Sequence, residues 1–387
     1  MRISKQISDS IELKFSKIAK EMNKKGKIYY SLGLGEPHFG TPKNIIQSSF
    51  KAMKDGKTKY SNPAGILKLR KEVSKKLLRE NKILSKPDEI VITSGSKMAL
   101  TLTLMSLIQP NDEIIYFSPS YPSYLPQILL SESNVVIKRL NVDKFNYNLD
   151  FKNLIKSINK KTKVILINFP NNPLGKILKK KDLIVLEKIL IKYKNCYLVS
   201  DEIYEKLNFN KIKSISPASI DTIRERVITI NGFSKAYAMT GWRIGYCHAN
   251  KKVIKKILKI QQHINTNVPV FIQEAALTAY KDKSDHLKSF HKVLKKNNDN
   301  FIKIFQNNKK ISFKKTDGGM FIFFRIQNKN LNSDNFCTKL LQEYSVALTP
   351  GSYFGKDWKQ YVRISLASNP KIFKQAIILL ESFINQN

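Results

Sequence analysis

Lys235 is the residue in this sequence best placed for covalent chemistry. It lies in NGFSKAYAMTGWRIGY, residues 231–246, directly after the apolar run RVITI. A lysine amine attacks an aldehyde usefully only when it is partly desolvated and close to a compensating group. Ser234 precedes it, Ala236 and Tyr237 follow, and Arg243 comes eight residues later. A hydroxyl beside the lysine and an arginine beyond it also make a ready clamp for phosphate. A second segment, YLVSDEIYEKL (197–207), ends an apolar run on Asp201 and places Tyr204 three residues on. At a strand terminus a carboxylate often does no more than cap the next helix. A third, NFPNNPLGK (168–176), forms a turn from Asn172-Pro173 and Gly175 after KVILINF, and most such turns are only turns.

These segments need a scaffold, and the sequence supplies one. EIVIT (89–93), EIIYF (113–117), VVIKRL (135–140), KVILINF (163–169), YLVS (197–200), RVITING (226–232) and RIGYCHA (243–249) read as strands. An apolar helix runs from Ser96 to Ile108, and further helical stretches separate several of the strands. Apolar runs of this length with helices between them predict a mainly parallel sheet covered on both faces, hence a three-layer α/β domain. Lys235 then sits in a loop at a strand's carboxyl end, the edge where open α/β sheets bind ligands. Residues 251–310 read as long helices, with apolar positions at helical spacing in VIKKILKIQQHI and HLKSFHKVLKKNNDNFIKIF. The tail mixes strands (GGMFIFFRI, YVRISLA) with helices (SDNFCTKLLQEY, PKIFKQAIILLESF). The expected division is a large α/β domain over 42–285, and a smaller α+β domain over 286–387 joined by an N-terminal arm, 1–41.

Composition removes several functions. With 387 residues, 42% hydrophobic and 25% charged, the chain has the make-up of a globular enzyme. Its apolar stretches are too short to span a bilayer, and its N-terminus lacks the apolar segment of a signal peptide, so a cytoplasmic location is expected. Cys196, Cys247 and Cys337 have no CxxC spacing, and His286 and His291 stand five apart, so no metal site is expected. The net charge of +38 is spread along the chain without a basic arm or a nucleic-acid motif, which predicts a solvated lysine coat and no specific nucleic-acid partner. GLGEPH (33–38) begins like a dinucleotide fingerprint, but its third glycine position is His38 and no helix starts there.

Ten segments, taken in order, carry a resemblance. They are LGLGEPHFGTP (32–42), KYSNPAGILKLR (59–70), TSGSKMAL (93–100), SPSYPSY (118–124), NFPNNPLGK, SDEIY (200–204), SKAYAMTGWRIGY (234–246), GGMFIF (318–323), TPGSYFG (349–355) and YVRISLA (361–367). The sequence resembles the class I/II aminotransferases of fold type I, in particular the aspartate-aminotransferase-like branch. The resemblance implies pyridoxal 5′-phosphate held by Lys235 as a Schiff base. It implies that Asp201 pairs with the pyridine nitrogen, that Tyr204 and Asn172 hydrogen-bond the ring's 3′-oxygen, and that Tyr121 stacks on the ring. Ser96 and Lys97, at a helix start, would hold the phosphate through backbone N–H groups with Ser234 and Arg243. Tyr60 would reach that phosphate from the second subunit of a homodimer. Arg363 would grip the substrate α-carboxylate as a bidentate fork, near the backbone of Gly35.

The implied reaction is amino transfer from an L-amino acid to a 2-oxo acid, with aspartate and 2-oxoglutarate the leading pair. No particular lysine stands out as the cation for a distal carboxylate. Apolar helix positions such as Met105, and the Gly318–Phe321 segment, keep an aromatic or broad specificity open. A carbon–sulfur β-lyase shares the same site. A cofactor-binding regulatory module is disfavoured, because about 30 residues before GEP are too few for a DNA-binding domain.

Overall fold

The computed structural model describes residue 21 and residues 28–387, except 211, 213 and 283. Most of the expected N-terminal arm lies outside the described residues. After β1 (Tyr30–Ser31), seven strands make one sheet: β2 (Ile90–Thr93), β3 (Glu113–Ser118), β4 (Val136–Asn141), β5 (Thr162–Asn168), β6 (Tyr197–Asp201), β7 (Val227–Gly232) and β8 (Gly245–His248). Their spatial order is β2-β8-β7-β6-β5-β3-β4. Only β8 runs against the rest, antiparallel to both β2 and β7. The residues of β2, β3, β6, β7 and β8 are almost all buried, as strands covered on both faces must be. The chain has the fold type I architecture, a mainly parallel sheet between layers of helices.

Register explains why chemistry collects at one edge. Asn168 at the end of β5 pairs with Asp201 at the end of β6, and Asp201 pairs with Ile230 of β7. The carboxyl ends of these strands therefore lie side by side, and the loops after them leave from one line. Because β8 is reversed, its first residue, Gly245, reaches that same edge and pairs with Thr93 and Gly232.

A second sheet has the order β12-β13-β10-β9, all antiparallel, built from β9 (Ile311–Phe313), β10 (Phe321–Ile326), β12 (Thr349–Pro350) and β13 (Tyr361–Ser365). β11 (Val346–Ala347) pairs with β1 in parallel. Helices His286–Phe305, Ser333–Tyr344 and Pro370–Gln386 pack with this sheet around an apolar core that includes Phe301, Phe324, Phe336, Ile377 and Leu380. Ile203, Tyr204, Leu207 and Phe209, from the turn after β6, are part of this second core. That turn therefore touches both halves of the molecule.

Candidate active site

A cavity of about 540 Å³ opens at the carboxyl edge of the large sheet, within the size range of small-molecule sites. Gly35, Ser96, Lys97, Tyr121, Asn172, Asp201, Tyr204, Ser234, Lys235, Arg243 and Arg363 all line it. They come from several separate loops and strand ends, brought in by the register above. Tyr60 does not line the cavity; it stands on the outer surface, 88% exposed.

At one wall, Arg363 reaches in from β13, opposite Phe323 of β10. Its Nη1 donates to Asn172 Oδ1 at 2.9 Å, and its Nη2 donates to Thr349 Oγ1 at 3.2 Å and to the Gly33 carbonyl. The guanidinium lies 4.2 Å from the Phe321 ring centre, so an apolar face and three acceptors fix its plane. Asn172 Nδ2 in turn donates to the Tyr204 hydroxyl at 3.2 Å. Burial pushes that phenol well above its ordinary range. Lys235 Nζ donates to the Gly35 carbonyl at 2.6 Å.

Asp201 closes the floor. Its Oδ2 accepts from the Tyr124 hydroxyl at 2.7 Å, and its Oδ1 accepts from the Ile203 N–H at 3.2 Å. Burial pushes its carboxyl up to about 6, although both hydrogen bonds and Lys235 favour the charge. Tyr124 was not singled out from the sequence. The signal was its place three residues after Tyr121 in SPSYPSY, which puts both rings on one side of the turn; their centres lie 5.6 Å apart.

The opposite wall is an anion cradle. The Gly95–Leu107 helix begins without a side-chain cap, because the Ser94 hydroxyl accepts instead from Asn265 Nδ2 at 2.6 Å. Uncapped N–H groups at a helix start favour an anion. Gly95 has φ +85°, and a Cβ there would come 2.6 Å from Arg243 Nη2. Only glycine lets the guanidinium lie against this turn. Met105, on the same helix, is 37% exposed and stays outside the cavity, so it gives no apolar lining for a substrate side chain.

Behind Asp201, Glu202 is buried and accepts from Ser200 Oγ at 2.9 Å and Ser216 Oγ at 2.7 Å. Burial, then the neighbouring Glu205, pushes its carboxyl up to about 7. Between the ordinary carboxyl range and pH 7 the folded chain thus holds a proton that the unfolded chain has lost, so stability falls as pH rises through this window. We expect Glu202→Gln to raise the melting temperature at pH 8 and to lose that advantage at pH 4.5. Melting scans at both pH values check this; an equal shift at both would contradict it.

The family described as "Aminotransferase class I and II" matches residues 27–377. The chain belongs to this family. Among aminotransferases, it is 34% identical over 390 residues to the aspartate aminotransferase of Thermotoga maritima, covering 99% of each chain. It is equally identical, at 34%, to the (5-formylfuran-3-yl)methyl phosphate transaminase of Methanocaldococcus jannaschii, covering 95% of each. The crystal structure of the T. maritima aspartate aminotransferase matches it with a TM-score of 0.91 at 31% identity, over the full length of both chains. This aminotransferase is therefore a pyridoxal-phosphate-dependent transaminase. The cavity fits that cofactor on its own terms. It offers an uncapped helix start with an arginine for a phosphate, a buried carboxylate for a ring nitrogen, and the Lys235 amine in the same lining for an aldehyde. No group of three or more His, Cys, Asp or Glu suited to a metal occurs among the described residues. None of the described helices is long and apolar enough to cross a membrane.

Proposed function

We propose that the chain transfers the amino group of L-aspartate to 2-oxoglutarate, with its own residues divided between holding the cofactor and holding two carboxylates. Pyridoxal phosphate, when bound, supplies an aldehyde carbon for the amino group and a ring that withdraws electrons from the carbon beside it. Lys235 Nζ would hold the cofactor through that carbon, and the same amine would move the proton at the substrate α-carbon. Asp201 keeps a proton on the ring nitrogen, and its burial makes the pairing strong. Tyr204 and Asn172 would hydrogen-bond the ring's 3′-oxygen, and Tyr121 would stack on the ring. Ser96 and Lys97 N–H groups, Ser234 and Arg243 bind the phosphate. Arg363, its fork already aligned, binds the α-carboxylate beside Gly35.

The choice of a dicarboxylic substrate rests on Lys97. Relatives of equal identity act on different substrates, so names alone do not decide it. Of the four cations that line the cavity, Lys235, Arg243 and Arg363 have the roles above. Lys97 is the fourth, with its Nζ 5.7 Å from the centre of the Tyr121 ring. It serves the phosphate through its backbone, which leaves its ammonium for the distal carboxylate. We expect Lys97→Leu to lower kcat/KM for aspartate about 10- to 100-fold, the worth of a charged hydrogen bond, and to spare phenylalanine. Equal losses for both substrates would sink this assignment.

The division into a domain over 42–285 and a smaller one over 286–387 with the 1–41 arm belongs to the same reading, as do a homodimer and a cytoplasmic location. Ile46, Phe50 and Met53 on the Lys43–Lys54 helix, together with Tyr60, present exposed apolar surface that a second copy covers. Tyr60 then reaches the partner's phosphate cradle. The three cysteines are buried and in no disulfide, as suits a reducing compartment.

A further inference from the structure

A lysine ammonium seldom sits wholly out of water unless it is paired. Lys76 is 0% exposed. It ends the Leu67–Lys76 helix, after which the chain makes a π-helical turn, Leu77–Asn81, closed by Lys82 in the left-handed conformation at φ 61°. A π turn stacks residues five apart, and here it brings Asn81 over Lys76. Lys76 Nζ donates to Asn81 Oδ1 at 2.9 Å. Both then reach the same carboxylate: Lys76 Nζ donates to Glu205 Oε1, and Asn81 Nδ2 donates to Glu205 Oε2. The three side chains close a ring of charge-assisted hydrogen bonds. Burial opposes the ammonium's charge and Lys206 adds to that, but the Glu205 carboxylate together with Tyr246 and Glu80 outweighs both, so Lys76 is held above its ordinary value.

Glu205 belongs to the turn after β6, and that turn has two faces. Asp201 and Tyr204 line the cavity. Glu202 and Glu205 face the other way, the first onto Ser200 and Ser216, the second onto the ring. Farther along, the Gly319 N–H donates to the Leu207 carbonyl at 2.7 Å, and His291 Nε2 bonds the Lys206 carbonyl at 2.6 Å. The turn is thus pinned to the antiparallel-sheet half at its far end, and to the Lys76 ring next to Tyr204. A buried ion pair rarely stabilises more than an apolar pair of the same volume. What it provides in addition is a fixed direction.

We propose that Lys76, Asn81 and Glu205 are positioning residues for amino transfer, whose ring sets where Asp201 and Tyr204 point in the cavity. The proposal rests on the roles given to Asp201 and Tyr204 above. The test uses the full-length protein loaded with pyridoxal phosphate, in two forms besides wild type: Asn81→Ala, and the triple change Lys76→Met, Asn81→Leu, Glu205→Met, which leaves no buried charge behind. Melting temperature, the pH midpoint of the cofactor's visible band, and kcat and KM for aspartate are measured. Both forms should fold, shift the midpoint by about one pH unit and lose on the order of 10- to 100-fold in kcat, with KM little changed. Folded variants with the wild-type midpoint and kcat overturn the proposal; if the triple change does not fold, Asn81→Ala alone decides. Asp201→Asn and Tyr204→Phe are measured beside them. If these shift the midpoint and the ring variants do not, only the ring falls. If none shifts it, the roles of Asp201 and Tyr204 fall first and the proposal with them.

Discussion

Lys235→Ala abolishes amino transfer, by at least about 10⁴-fold in kcat, while the protein still folds and still takes up pyridoxal phosphate without a covalent link. The loss is this large because one amine does two jobs, holding the cofactor and moving the α-proton, and general acid–base catalysis alone is worth about 10² to 10⁴-fold. No neighbour can take over. Lys97 is the other lysine lining the cavity, and it stands at the helix start on the phosphate side. Folding survives because the Lys235 Nζ hydrogen bond to the Gly35 carbonyl lies in the cavity's polar lining and leaves both apolar cores untouched. Single-turnover assays with aspartate, read beside circular dichroism, check this; a variant that turns over at even a hundredth of the wild-type rate would remove Lys235 from the chemistry.

Asp201→Ala comes next in size. It removes the buried carboxylate of the cavity lining and leaves the Tyr124 hydroxyl without its 2.7 Å acceptor. Without a buried anion beside it, the ring nitrogen loses its proton at neutral pH and the withdrawal of electrons weakens. Losing one such preorganised electrostatic partner costs on the order of 10² to 10³-fold in rate. The cofactor should also bind more loosely, which equilibrium dialysis measures directly. Because the Asp201 carboxyl of the cofactor-free chain is pushed up to about 6 and must be charged to pair with the ring nitrogen, wild-type affinity for the cofactor should fall as pH drops through that value, and this fall should be absent in the variant. Wild-type affinity together with wild-type kcat in Asp201→Ala would contradict the pairing.

The parts of this molecule that could be read from its sequence are those where one physical demand dominates. Strands such as EIIYF (113–117) and RVITING (226–232) announce themselves because a parallel sheet buried on both faces needs unbroken apolar runs, and both lie within a residue of their structural bounds. The reversal of β8 was not visible, because strand direction leaves no mark on composition. Lys235, Asp201 and Arg363 were visible through their motifs. Two other features were hidden by the chain's own lysine excess. Lys97 as a cation and Lys76 as a buried one look like any of the 68 Lys and Arg residues until the fold places one in a cavity and the other in a closed ring. The Lys76–Glu205 pair spans 129 positions and depends on a π turn, and no periodicity in LKLRKEVSKKLLREN signals either. Tyr60 marks another limit, since the role proposed for it needs a second copy of the chain, and in the single chain it stands on the surface.

The most direct measurement is the absorption spectrum of the purified protein with pyridoxal phosphate, before and after L-aspartate. A visible cofactor band should appear, move into the near-ultraviolet with aspartate, and return when 2-oxoglutarate is added. A band that no amino acid moves would contradict amino transfer, and the lack of any band after cofactor is added would contradict the place of Lys235 at the centre of the site.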